Sequence, residues 1–332
     1  MPTPSKTPNV YAPIIGAWYP VAFSSEVRAS PMRVVLFDRP WLLFRMESGE
    51  IAALEDRCPH RNAPLSAGTI CGNTVQCAYH GWRFVASGNC VAIPGEPSPS
   101  ARVRVPSAVV VEKSGTVYLR LGEADARWPE PFDALQECDE RFRVIRKKID
   151  FDARFDDVAE NALDVPHTAF LHRPLFRQSE SELVRKTDLR RGDDFIEIEY
   201  LDERAPSGVL GKLLSINADT VEHWDRFVAP SIAQVEYKIA EDAHLIATAA
   251  LCPTHADKTA MFATVAFRTG RADVLIERLA RPLAMLIVRQ DVDMLRAQSL
   301  NMKAFGGAAY RSTRLDQLGD GIRNLVTSLV SG

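Results

Sequence analysis

The apolar residues fall in two different rhythms along the chain. Up to about residue 122, short runs rich in Val, Ile, Phe and Tyr are interrupted by Gly, Pro, Ser and Asp, the pattern of brief β-strands joined by turns. The predicted strands are Trp18–Phe23, Met32–Phe37, Trp41–Met46, Ile51–Leu54, Ala108–Glu112 and Thr116–Leu121, with a hairpin turn at Ser114-Gly115. Residues 123–142, with Trp128-Pro129-Glu130-Pro131 and many charges, read as a linker. Beyond it come a strand (Arg143–Ile149), a helical stretch (Ala153–Leu163) and longer strands at Leu183–Leu189, Phe195–Leu201, Gln234–Ile239, Leu245–Cys252 and Thr259–Arg268. A helix follows over roughly Ala272–Ala304, with a kink expected at Pro282. Strands followed by a long helix predict an α+β domain with the helix laid across an antiparallel sheet. The chain therefore reads as two domains, an all-β one over 1–122 and an α+β one over 143–332.

Composition narrows the function. The 332 residues are 46% hydrophobic and 25% charged, with 40 basic against 43 acidic side chains and a net charge of −3. No Lys/Arg block forms a nucleic-acid footprint. No apolar run approaches a membrane span, and Ile14-Ile15-Gly16 is too short for a signal peptide. With no disulfide scaffold evident among six cysteines, a reducing cytoplasm is the expected location.

The most informative stretch is Cys58-Pro59-His60-Arg61 followed by Cys77-Ala78-Tyr79-His80-Gly81-Trp82, that is C-x-H, sixteen residues, then C-x-x-H. Two thiolates and two imidazoles are the inventory of a Rieske [2Fe–2S] cluster, in which cysteines hold one iron and histidines the other. Structural zinc is the alternative, but its hooks usually pair cysteine with cysteine and histidine with histidine. Here each hook carries one of each. The segment also resembles the Rieske signature outside its ligands, at Arg57, Arg61, Gly81-Trp82, Gly88 and Ile93-Pro94-Gly95. Trp82 is expected to pack over the cluster.

A second constellation lies at Asn161-Ala162-Leu163-Asp164-Val165-Pro166-His167, with His172 five residues on. Five residues on a regular helix leave two side chains about 140° apart, so His167 and His172 converge only if Pro166 breaks the element. Glu160-Asn161-x-x-Asp164-x-x-His167-x4-His172 resembles the mononuclear iron motif of the Rieske non-haem iron oxygenases, which follows a Rieske domain in that family. The resemblance implies a helix-grip (START-like) catalytic domain and a 2-His-1-carboxylate Fe(II) site with His167 and His172 as ligands. It places the carboxylate on the last long helix, where Asp291 and Asp293 compete. Asp291 has Ile287, Val288, Met294 and Leu295 at helical neighbour positions, whereas Asp293 has Arg289 and Arg296, the setting of a solvated ion pair. A carboxylate among apolar groups needs a cation, so Asp291 is the expected ligand. The family more often has Glu where this chain has Gln290.

By the same resemblance, Asp164 carries electrons from a Rieske histidine of the adjacent subunit to the mononuclear site. Asn161 either sits beside the iron or is a plain polar helix residue. His223, His244 and His255 are expected in ordinary polar roles, and Cys71, Cys90, Cys138 and Cys252 as small packed groups.

The resemblance, which runs toward the α-only dicamba and vanillate demethylase branch, implies the terminal oxygenase component of a multicomponent monooxygenase. NAD(P)H-derived electrons would arrive from a reductase, directly or through a ferredoxin. A head-to-tail homotrimer would bring the two metal centres together, and the substrate would be an aromatic or cyclic small molecule, hydroxylated or O-/N-demethylated. Cis-dihydroxylation is the alternative within the class. A Rieske electron carrier and a non-catalytic small-molecule binding module are the alternatives outside it.

Overall fold

The computed structural model describes residues 12–97, 102–173, 175, 186–205, 207–209, 219–240, 243–269 and 273–331. The chain divides into two compact units, Pro13–Asp133 and one containing Ala134–Gly332.

Among the described residues, the first unit consists of two antiparallel sheets. The strands β1 (Trp18–Phe23), β2 (Met32–Leu36), β3 (Arg39–Arg45), β4 (Ile51–Glu55), β9 (Ser107–Lys113) and β10 (Thr116–Arg120) form one sheet in the order β1-β10-β9-β4-β3-β2. All six coincide with predicted strands to within two residues at either end. The hairpin between β9 and β10 turns on Ser114 and Gly115, both with positive φ (48° and 78°), as a primed two-residue turn requires. Four strands of three residues each, β5 (Thr69–Cys71), β6 (Thr74–Gln76), β7 (Arg83–Val85) and β8 (Cys90–Ala92), form a second sheet that the sequence pattern did not reveal. Cys58 and Cys77 are buried in one core with Leu42, Phe44, Leu54, Leu65, Val75 and Phe84. Part of the expected linker belongs to this unit: Trp128 is buried, and its carbonyl accepts a hydrogen bond from Trp18 Nε1 at 3.1 Å.

The second unit is built on a long antiparallel sheet. Its strands are β11 (Arg143–Phe151), β12 (Thr187–Arg191), β13 (Phe195–Arg204), β14 (Thr220–Val228), β15 (Ile232–Ala240), β16 (Ala243–His255) and β17 (Lys258–Arg268), ordered β11-β17-β16-β15-β14-β13-β12. The predicted strand Leu183–Leu189 begins outside the described residues and ends within β12. Period-2 alternation sends Asp225, Val235, Ala247 and Val265, partners across four strands, to one face of the sheet. The helix Asp273–Ala304 runs through Pro282 as one element. Its residues Ala284, Ile287, Val288 and Asp291, spaced as one helical stripe, line a cavity shared with that sheet face. Asp293 is exposed, and Arg296 approaches Asp152 at 3.9 Å.

The short helix Phe155–Leu163 contributes the cavity's third side, and an unpredicted C-terminal helix, Gln317–Ser331, packs against it. Arg323 of the C-terminal helix grips Glu160 (2.5 Å).

Candidate metal centres

In the first unit the two hooks are built alike. Cys58 N–H donates to the Ala63 carbonyl (2.8 Å) and Asn62 N–H to the Cys58 carbonyl (2.8 Å). Cys77 N–H donates to the Trp82 carbonyl (2.8 Å) and Gly81 N–H to the Cys77 carbonyl (3.0 Å). The residue four past each cysteine is left-handed, Asn62 at φ 59° and Gly81 at φ 72°, a conformation Asn and Gly adopt most readily. A Cβ on Gly81 would also press to 3.0 Å from Pro94 Cγ. The closed loop aims the backbone N–H groups of His60 and Arg61 at the Cys58 sulfur. Burial pushes the Cys58 thiol up to about 11, and the neighbouring Cys77 thiol adds to the rise.

The His60 and His80 rings lie 4.4 Å apart between centroids, and His60 stacks on Trp82 at 4.6 Å with planes 3° apart. Desolvation, then the charge of His80, lowers the His60 pKa, favouring the neutral ring. Its Nδ1 is buried without a hydrogen-bond partner. Two adjacent buried thiols, two adjacent imidazoles and an orphaned ring nitrogen fit a [2Fe–2S] cluster of the Rieske kind. Asp56 braces the first hook by accepting from Ser66 N and Oγ (both 2.7 Å) and from Arg33 (3.2 Å).

In the second unit the helix Phe155–Leu163 ends at Asp164, whose extended backbone (φ −86°, ψ 104°) turns the chain into a 3-10 turn over Pro166–Ala169. That break removes the 140° divergence expected of a continuous helix. His167 Nε2 and His172 Nε2 come within 3.0 Å, and Asp291 Oδ1 lies 3.0 Å from His172 Nε2 and 3.5 Å from His167 Nε2. Bonds of roughly 2.1 Å set at right angles separate donor atoms by about 3.0 Å, so the triangle has the dimensions of a facial 2-His-1-carboxylate site. Burial alone would keep the His167 ring neutral, yet hydrogen bonding and charge from Asp164 and Asp291 outweigh it and raise its pKa to about 9. Burial likewise opposes ionisation of Asp291, but the two histidines hold its pKa below the usual value. The triangle thus attracts positive charge, and the donor set fits ferrous iron.

The surroundings orient the ligands. His172 Nδ1 lies 3.0 Å from Gln290 Oε1, an acceptor only, so Nδ1 carries the proton and Nε2 presents its lone pair to the triangle. In the sequence Gln290 stands out beside Asp291 only as a departure from the family's Glu, and its contact with His172 gives it a role. His167 Nδ1 faces Asp164 Oδ2 at 3.4 Å, and Asn161 Nδ2 donates to Asp291 Oδ1 at 3.4 Å. The remaining unanticipated feature is a buried polar group in the cavity wall. His223 is sandwiched between Tyr200 and Tyr237 and flanked by Glu203 and Asp225. His244 pairs with Glu236 at 2.9 Å, an ordinary polar role.

A β-rich unit with two Cys/His hooks and an α+β unit with a 2-His-1-carboxylate triangle define a two-centre iron protein of the Rieske oxygenase class. Residues 17–111 match the Rieske [2Fe–2S] domain family, and residues 151–332 match the vanillate O-demethylase oxygenase C-terminal domain family. The chain belongs to the Rieske non-haem iron oxygenase family, in the group that carries this C-terminal domain.

Among curated relatives, the iron-sulfur subunit of the toluene-4-sulfonate monooxygenase system of Comamonas testosteroni is 34% identical over 161 residues, 48% of this chain and 46% of the relative. The oxygenase component of dicamba O-demethylase of Stenotrophomonas maltophilia is 28% identical over 211 residues, 63% of this chain and 62% of the relative. The chain thus spans about half to under two thirds of the length of these relatives. The fold matches the crystal structure of dicamba monooxygenase bound to dicamba with a TM-score of 0.82, at 23% identity, covering 96% of this chain and 98% of that one. Among the described residues no helix is long and apolar enough to cross a membrane.

Proposed function

We propose that this chain is the terminal oxygenase component of a multicomponent monooxygenase that hydroxylates or O-/N-demethylates a small aromatic or cyclic molecule. One observation carries the reading: the His167/His172/Asp291 triangle borders a largely apolar cavity of about 300 Å³, in a chain that also has a Rieske domain. Cys58, His60, Cys77 and His80 are assigned to the cluster, and His167, His172 and Asp291 to the mononuclear iron. When bound, the cluster relays single electrons and the mononuclear iron activates dioxygen.

The protein's own residues do the positioning. Gln290 and Asp164 fix the two imidazoles, Asn161 holds the Asp291 carboxylate, and the stripe of Ala284, Ile287 and Val288 keeps the cavity dry beside the ligands. Asp164 is assigned the further task of linking His167 to a Rieske histidine of a second copy, in a homotrimer. Electrons come from NAD(P)H through a reductase, with or without a ferredoxin. For a methyl ether the balance is one dioxygen, two electrons and two protons in, and one alcohol, one formaldehyde and one water out.

The test is to supply the iron-loaded protein with a surrogate reductase and NADH and screen methoxylated and N-methylated aromatics. Formaldehyde released in step with NADH, and lost in His167→Ala, supports the reading. A cis-diol would identify a dihydroxylase. NADH-driven reduction of the cluster with no substrate oxidised would indicate an electron carrier.

A further inference from the structure

The cavity beside the triangle has two unlike ends. Asn161, Asp164, His167, Thr168 and Asp291 line one end and keep some exposed surface, and all but Asp291 come from the segment that carries the two histidines. The Thr168 hydroxyl donates to the Val165 carbonyl at 2.7 Å and Asn161 donates to Asp291, so this polar end is organised around the metal ligands.

The sheet forms the other end. Leu245, Ala247 and Ala249 of β16 and Met261, Ala263 and Val265 of β17 line the cavity and are half-buried, whereas the intervening Ile246, Phe262 and Thr264 are each 2% exposed. The period of two therefore turns the open surface of both strands toward the cavity, and all of it is apolar. Ala233, Ala249 and Ala263 are cross-strand partners in one row, and Val235, Ala247 and Val265 are partners in the next. Two rows of small side chains thus lie between the larger Met261 and Leu245, which makes the wall a recess.

The polar side chains of the sheet do not reach this recess. His223, Asp225 and Thr248 are 0%, 1% and 2% exposed; Glu203 and Asp225 flank His223, and Thr248 accepts from Gln234 at 2.9 Å. No Lys or Arg stands among the described lining residues. A charged substituent brought to the recess would lose its water and meet hydrocarbon, whereas an alkyl group would cover surface that is already apolar.

We propose that the cavity selects an uncharged cyclic molecule whose apolar end, opposite the group presented to the metal, seats in the Ala247/Ala249/Ala263 recess, and that Ala249 sets how large that end can be. Aromatic acids charged at that end are turned away. The assignment rests on the oxygenase reading only in treating this cavity as the substrate site. Ala249 is the middle member of its row, so added bulk there fills the recess from its centre while the metal ligands stay unaltered.

The test is direct binding to the iron-loaded full chain by anaerobic calorimetry, without reductase or turnover, using three methyl ethers: anisole, 4-isopropylanisole and 4-methoxybenzoate. The last two carry branched groups of similar shape at the same position and differ in charge. Each buried carbon is worth about fourfold in affinity, so 4-isopropylanisole is expected to bind about tenfold or more tighter than anisole, with 4-methoxybenzoate weakest. Ala249→Leu should cut the advantage of 4-isopropylanisole over anisole to about twofold or less, because the recess that holds the isopropyl group is filled.

Three results would each overturn the assignment: 4-methoxybenzoate binding wild type as tightly as 4-isopropylanisole, no measurable binding of 4-isopropylanisole, or its advantage over anisole unchanged in Ala249→Leu. Ala263→Leu fills the same recess from the neighbouring strand and decides the matter if the first variant does not fold. Because no oxidation is read, these results stand apart from the oxygenase test: tight binding and demethylation of 4-methoxybenzoate would leave that function intact while removing this specificity.

Discussion

Replacing Gln290 with Leu removes an acceptor while keeping the side chain's bulk close to that of the original. His172 is 2% exposed, so its Nδ1–H loses its one side-chain partner among the described residues, 3.0 Å away, with little access to water. A buried donor left unsatisfied costs about 1–3 kcal/mol. The ring is then free to move its proton to Nε2, the nitrogen that must face the metal with a lone pair. Partners of this kind typically change metal affinity about 10–100-fold, or roughly 1.4–2.7 kcal/mol, which agrees with the hydrogen-bond figure.

The assay is anaerobic titration with Fe(II), against a chromophoric chelator, of protein emptied of mononuclear metal alone, with the retained cluster's visible absorbance as an internal control. Gln290→Leu should weaken the mononuclear site by that factor and leave the absorbance unchanged, while Gln290→Glu should retain affinity. A Leu variant within about twofold of wild type would refute the argument that Gln290 sets the His172 tautomer.

Three further outcomes follow from packing and charge. Asp291→Asn should lose mononuclear metal, whereas Asp293→Asn, altering an exposed side chain, should not, as metal analysis of the two variants will show. Gly319→Ala should lower stability by about 1–3 kcal/mol in chemical denaturation, because the new Cβ would lie 2.1 Å from Glu160 Oε1, which Arg323 holds in place. Burial and the neighbouring Asp156 charge push Asp157 up to about 6, against the pull of the Tyr310 hydrogen bond. A carboxyl group whose pKa is higher folded than unfolded contributes stability that is full below about pH 4 and declines as pH rises through 6. Asp157→Asn should therefore flatten the denaturation profile across that window and gain about 1–3 kcal/mol at neutral pH, and an unchanged profile would contradict the assignment.

The parts of the molecule legible in sequence were those in which local chemistry and local geometry agree. The strands of the larger β-sheet in the first unit follow runs of Val, Ile, Phe and Tyr between turn residues. The choice of Asp291 over Asp293 followed from helical neighbours, and the stripe formed by Ala284, Ile287, Val288 and Asp291 is the physical form of that argument. Where ionisable residues occupy inward positions, the pattern failed. β14 escaped because His223 and Asp225 stand at inward positions that a strand usually gives to apolar residues. The helix Gln317–Ser331 escaped because Gly319 and Gly321 weaken its first turn, although both allow close approach, to Glu160 and Ile196. The three-residue strands around the hooks carry too few residues for any period to show. Gln290 was visible only as a departure from a family pattern, and its role required the distance to His172.

Whether one chain carries two iron centres is decided by iron, zinc and acid-labile sulfide analysis of anaerobically purified protein, with electron paramagnetic resonance after dithionite reduction. The expected result is about three irons and two sulfides per chain and a rhombic reduced-cluster signal. Zinc in place of iron, with no sulfide, would contradict it.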